Sequence, residues 1–140
     1  MIPLRLVLDT NIVVSAALNP EGPQRTILLL ALKKPARLYL SPAILEEYRS
    51  VLSRPRLHIR RGLRRRFLQL IENGARLVEP PRRLSVARDT ADNIFIECAD
   101  ASGADYLITG NVRDFPRYWK RTKVITSHEF LGLIAPHLLG

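Results

Sequence analysis

Short apolar runs that end in turn-forming residues alternate along this chain with stretches of helical periodicity, and no other feature narrows its fold as much. Residues 4–8, 37–40, 75–78, 105–109 and 123–125 read as strands. Between and after them, residues 11–18, 24–33, 41–53, 62–73, 90–102 and a last segment from Ser127 read as helices. Parallel strands need long crossovers, and helices in those crossovers cover both faces of the sheet. The expectation is therefore an α/β fold with a central parallel sheet, as a single domain over residues 1–140. A chain of 140 residues with 46% hydrophobic content can bury one such core.

Local signals agree with these boundaries. Ser41-Pro42 combines a capping hydroxyl with proline at the first helical position. Thr126 and Glu129 have capping-box spacing, and Gly74 and Gly103 stand where helix C-caps are expected. The expected inward faces are Ile44, Leu45, Tyr48, Val51 and Leu52; then Phe67, Leu70 and Ile71; then Ala91, Ile94, Phe95, Cys98 and Ala99. Residues 24–33 are apolar nearly all round, so that helix is either buried or meets a partner, and residues 27–32 are the candidate surface for a dimer or a partner protein.

No apolar run approaches the roughly 20 residues that span a bilayer, and the opening residues lack the pattern of a cleaved leader. A cytoplasmic protein with no membrane contact is expected. Cys98 is alone, and His58, His128 and His137 lack ligand spacing, which argues against disulfides and zinc. Any metal is then held by oxygen, as Mg²⁺ or Mn²⁺. The net charge of +9 points to a polyanionic partner or, more blandly, to a solvated arginine-rich surface.

Ligands of open α/β sheets bind at the carboxyl ends of the strands. Asp9 ends the first strand and suits either a metal or a helix cap. Glu47 borders the apolar face of its helix, to meet the site or to pair with Arg49 or Arg54. Asp92 falls in the first turn of a helix, where the dipole alone favours an acid, and Asp89 is placed to cap that helix. Asn111 and Asp114 follow the fourth strand. Gathered carboxylates repel unless a cation neutralises them, and a bound metal activates water against a phosphodiester.

The segments around these residues resemble the motifs of PIN domains, the nuclease family that includes VapC-like toxins. Val7-Leu8-Asp9-Thr10-Asn11 resembles the first, and Ser41-Pro42 through Glu47-Tyr48 the second. Asp89-Thr90-Ala91-Asp92-Asn93 with Glu97-Cys98-Ala99 resembles the third, and residues 103–111 the fourth. The resemblance implies a three-layer α/β/α sandwich and cleavage of RNA with Mg²⁺ or Mn²⁺. It carries over Asp9, Glu47 and Asp92 as metal-site acids, and implies a toxin with a cognate antitoxin and a homodimer, or an RNA-processing nuclease. The fourth motif often ends in Asp, whereas this chain has Asn111, a weaker ligand that Asp114 can supplement. Thr10 and Thr109 are placed to hydrogen-bond the site or to cap and turn the chain.

Arg54, Arg56, Arg60, Arg61, Arg64, Arg65 and Arg66 crowd a segment without acids, which fits RNA phosphates first, and otherwise an acidic antitoxin or a solvated face. Tyr118 and Trp119 either stack on bases or, as preferred here, cover the core. Two rival readings remain. One is an RNA-binding module of weak activity. The other is a phosphotransferase with Asp9 as nucleophile, against which Asn11 stands where such an enzyme has a second acid.

Overall fold

The computed structural model describes the backbone of residues 4–139 and the side chains of residues 4–136. The reading of the first three residues and the side chain of His137 lie outside the described residues. Strands β1 (Arg5–Leu8), β2 (Arg37–Leu40), β3 (Arg76–Leu77), β4 (Tyr106–Ile108), β5 (Tyr118–Trp119) and β6 (Thr122–Ile125) form one sheet in the order β3-β2-β1-β4-β6-β5. The helices are α1 (Thr10–Leu18), α2 (Pro23–Ala31), α3 (Pro42–Leu52), α4 (Arg61–Gly74), α5 (Asn93–Ser102) and α6 (Ser127–Leu139). None is long and apolar enough to cross a membrane.

Leu6, Val7 and Leu8 of β1 are wholly buried, because the neighbouring strands are parallel and helices cover both faces. From β1 to β3 the chain moves outward in one direction. It then returns through α5 to β4 on the other side of β1. Right-handed crossovers place those two sets of helices on opposite faces. In keeping with this, α5 packs on β1, β2 and β4, while α1, α2 and α3 form a second group with α6 against α2. The strand order reverses between β1 and β4, which makes their carboxyl ends the switch point.

Several local expectations change. The sheet is mixed: β5 runs antiparallel to β6 across a two-residue turn in which Lys120 is left-handed (φ 52°). A hairpin that short can only return antiparallel, and a two-residue strand has no period to read. The helix expected from Thr90 begins as a 3₁₀ turn, Thr90–Asp92, and Ala91 is exposed. On α4, Leu68 is buried in place of Leu70, which is 43% exposed, and Phe67 is only half-buried. The cap of α4 is Ala75, not Gly74. Gly74 serves close packing instead, since a Cβ there would lie 2.9 Å from Leu32 Cδ2. Ile27, Leu28 and Ala31 of α2 are buried, so the expected partner surface narrows to Leu29, which is about half exposed.

Candidate active site

Asp9 leaves β1 at its carboxyl end, and its side chain takes the expected capping role on α1. Its backbone N–H donates to Ile108 O of β4 at 2.9 Å, which fixes its position at the switch point. Asp9 Oδ1 accepts from the Thr10 N–H at 2.7 Å, and Oδ2 accepts from Thr109 Oγ1 at 2.7 Å. Thr109 Oγ1 in turn accepts from the Asn111 N–H at 3.0 Å, which shapes the turn after β4. Thr10 Oγ1 donates to Glu47 Oε2 at 2.5 Å. Both threonines therefore bind the acids as well as shape turns.

Glu47 does not take the arginine partners it was offered. Arg49 pairs with Glu46 at 3.2 Å and Glu72 at 3.5 Å instead. Tyr48 holds α3 in place: its buried hydroxyl donates to Leu8 O, the last carbonyl of β1. Burial, aided by nearby Cys98, Asp9 and Glu47, holds the phenol proton on. Sequence reasoning found Tyr48 only as part of an apolar face, because an amphipathic tyrosine shows its pocket side in the periodicity and hides its polar end.

Asp92 ends the 3₁₀ turn that leads into α5, and Asp89 caps that turn by accepting from the Ala91 N–H at 3.0 Å. Asn93 was overlooked as a structural residue. Buried at the start of α5, its Oδ1 accepts from the N–H groups of Val86 at 3.0 Å and Ala87 at 2.8 Å and holds the preceding loop down. The Arg88 N–H donates to Asp114 O at 2.9 Å, which ties the same loop to the turn after β4. Asn111 is exposed and Asp114 half-buried.

The electrostatics bind these acids into one group. Burial raises the pKa of Asp9 despite its hydrogen bonds, and Glu47 and Asp114 raise it further. Partial burial, with Asp9, Asp89, Asp114 and Glu47 nearby, pushes Asp92 up to about 6. No Lys or Arg pairs with Asp9, Glu47, Asp92 or Asp114 among the described residues. An all-oxygen set short of positive charge suits a hard divalent cation. No three His, Cys, Asp or Glu among the described residues form a ready cage.

The seven arginines gather elsewhere, on the 3₁₀ turn Pro55–Leu57, on α4 and at Arg54 and Arg60, which precede the two. All are exposed except half-buried Arg64, and none forms an ion pair among the described residues. Arg61, Arg64 and Arg65 line a shallow cavity with Arg49 of α3. Tyr118 is 56% exposed, contrary to the expected core role, whereas Trp119 is half-buried and donates to Asp100 Oδ1 at 3.1 Å.

Comparisons with known proteins agree with this architecture. The fold matches, with a TM-score of 0.61 at 17% identity, a chain in the crystal structure of VapBC2 from Rickettsia felis bound to a DNA fragment from their promoter. The match covers 88% of this chain and 98% of that one. The sequence is 33% identical to the uncharacterized protein MJ1680 of Methanocaldococcus jannaschii, across 93% of this chain and 91% of that protein. The family model described as PIN domain matches residues 5–113, a span that holds Asp9, Glu47, Asp92 and Asn111, and the chain belongs to the PIN domain family.

Proposed function

We propose that this chain is a metal-dependent endoribonuclease, the toxin of a toxin–antitoxin pair, working in the cytoplasm. The observation that carries the reading is the uncompensated acidic group at the switch point, centred on Asp9 and fixed by Thr10 and Thr109. Asp9, Glu47 and Asp92 would hold Mg²⁺ or Mn²⁺, directly or through water, with Asn111 and Asp114 as weaker ligands. Bound there, the metal supplies an activated water and stabilises charge on the scissile phosphate.

The protein's own part is positional. Thr109 fixes one oxygen of Asp9, and Thr10 fixes Glu47 across 37 residues of chain. Tyr48 locks α3 to the end of β1, so the spacing of Glu47 and Asp9 follows from the fold. The exposed Asn111 amide is free to meet a phosphate oxygen. Arg54, Arg56, Arg60, Arg61, Arg64, Arg65 and Arg66 would neutralise flanking phosphates. A cognate antitoxin and a homodimer belong to this reading. The VapBC2 neighbour supports the former, and exposed Leu63 and Leu70 on α4 offer apolar contact for either.

Cleavage of a mixed RNA pool with Mg²⁺, with Mn²⁺ and with EDTA tests the proposal. Metal-dependent cutting that Asp9→Asn abolishes is the expected result. Folded protein that binds RNA and never cuts it would replace this reading with an RNA-binding module.

A further inference from the structure

A second basic surface lies at the opposite end of the sheet from the acids. In the parallel register Arg5 pairs with Arg37, and Tyr39 pairs with Arg76. Side chains in register, and those two apart on one strand, share a face. Arg5, Arg37, Tyr39 and Arg76 therefore stand together on one face of β1, β2 and β3. That face is the one under α5, since Arg5 Nη1 donates to Ser102 O at the end of α5 at 2.8 Å. Beyond α5 an open cavity of about 690 Å³ remains, walled by these residues with Lys34 and Pro35.

Four cations meet in this cavity and no acid lines it. None of the four forms an ion pair among the described residues. Arg5 is pre-positioned, with its guanidinium 5.8 Å from the centre of the buried Tyr39 ring and bonded to the Ser102 carbonyl. Like charges held together this way raise the local potential until an anion neutralises them. Three of the four are arginines, whose planar forks match phosphate oxygens in pairs. Asp9 lies four residues along β1 from Arg5, about 13 Å at strand rise, so the cavity is separate from the acidic site.

We propose that this groove is a second anion-binding site that holds phosphates of single-stranded RNA away from the acids. The choice of RNA over an acidic peptide rests on the nuclease reading; the site itself does not. The test uses a 5′-phosphorylated RNA octamer in EDTA, with backbone amide NMR shifts as the readout and no cleavage required. Shifts at Ala36, Arg37 and Arg76 are expected. The double reversal Arg37→Glu/Arg76→Glu should remove them and weaken binding about tenfold at 50 mM salt, with less loss at 200 mM. Lys34→Glu, at an exposed position, repeats the test should the double variant fail to fold. Arg83→Glu/Arg117→Glu, at two exposed positions outside the groove, is the charge-matched control and should leave the shifts at Ala36 and Arg37 in place. Unperturbed groove amides in a protein that binds or cuts RNA would overturn the proposal, as would stronger shifts with a polyglutamate peptide than with RNA. Groove shifts in a protein that never cuts would uphold this site and overturn the nuclease reading alone.

Discussion

Asp92 and Asp100 sit eight positions apart, at the two ends of the same helical segment, and their surroundings are opposite. Asp92 lies among other acids without a cation and is pushed up to about 6. Asp100 accepts from Lys120 Nζ at 2.8 Å, Arg82 Nη2 at 3.0 Å and Trp119 Nε1 at 3.1 Å. Those bonds, the one from Lys120 first, hold it down to about 2 despite burial. Asp100 ties the loop before α5 and the β5–β6 hairpin to the helix, and its charge is answered within the chain. No Lys or Arg among the described residues answers the charge of Asp92. An acid with its own partners is structural, and one without them is available for a ligand.

The same substitution at both positions should separate the two kinds of acid. Asp92→Asn is expected to lower metal-dependent cleavage by about a hundredfold or more while the metal-free protein melts no lower than wild type. Asp100→Asn should cost about 1–2 kcal/mol of stability, or ~3–6 °C in Tm, and spare the cleavage rate of the folded fraction. Arg82 and Lys120 are more than half exposed, so water screens them and the loss stays at that modest level. Equal losses of activity and stability in the two variants would erase the distinction.

Thr109→Val comes next. It keeps the shape of a wholly buried residue and removes the bond to Asp9 Oδ2. A loss of about 10- to 100-fold in metal affinity or cleavage is expected, by titration and by rate.

The dependence on pH sharpens the contrast further. A carboxyl whose folded pKa exceeds its unfolded value of 3.8 weakens the fold when ionised. The Asp92 contribution should therefore raise metal-free stability as pH falls through about 6 toward 3.8. Asp100 works in the opposite sense: its contribution is full above 3.8 and fades as pH falls toward about 2. Thermal melts from pH 8 to pH 3 should show the first effect in wild type and lose it in Asp92→Asn. Millimolar Mg²⁺ should raise Tm at pH 7.5 and have little effect at pH 5.

The smallest expected change is a gain. Asn111→Asp adds a carboxylate at an exposed position beside the group and should tighten Mg²⁺ binding by up to about tenfold, as read by calorimetry. No change would remove Asn111 from the ligands.

What lies within three or four residues was legible in the sequence. Ser41 caps α3 by accepting from Ile44 at 3.2 Å, and Thr126 and Glu129 bond reciprocally at 3.1 and 3.2 Å. Gly103 takes the left-handed φ of 63° that ends α5. Asp9 ends its strand as expected, because an apolar run followed by Asp-Thr-Asn leaves the chain no other local course. Caps and turns of this kind close over one helical turn, so neighbouring residues determine them. The tertiary structure alone decided which distant groups meet. Thr109 reaches Asp9 across a hundred residues, and it does so because β4 crosses over to lie beside β1. The same pairing rules placed Arg5, Arg37 and Arg76 on one face, and packing of the hairpin and the loop before α5 against that helix surrounded Asp100 with cations. Whether an acid is neutralised depends on which elements the topology brings to it, and no local pattern in the sequence carries that information.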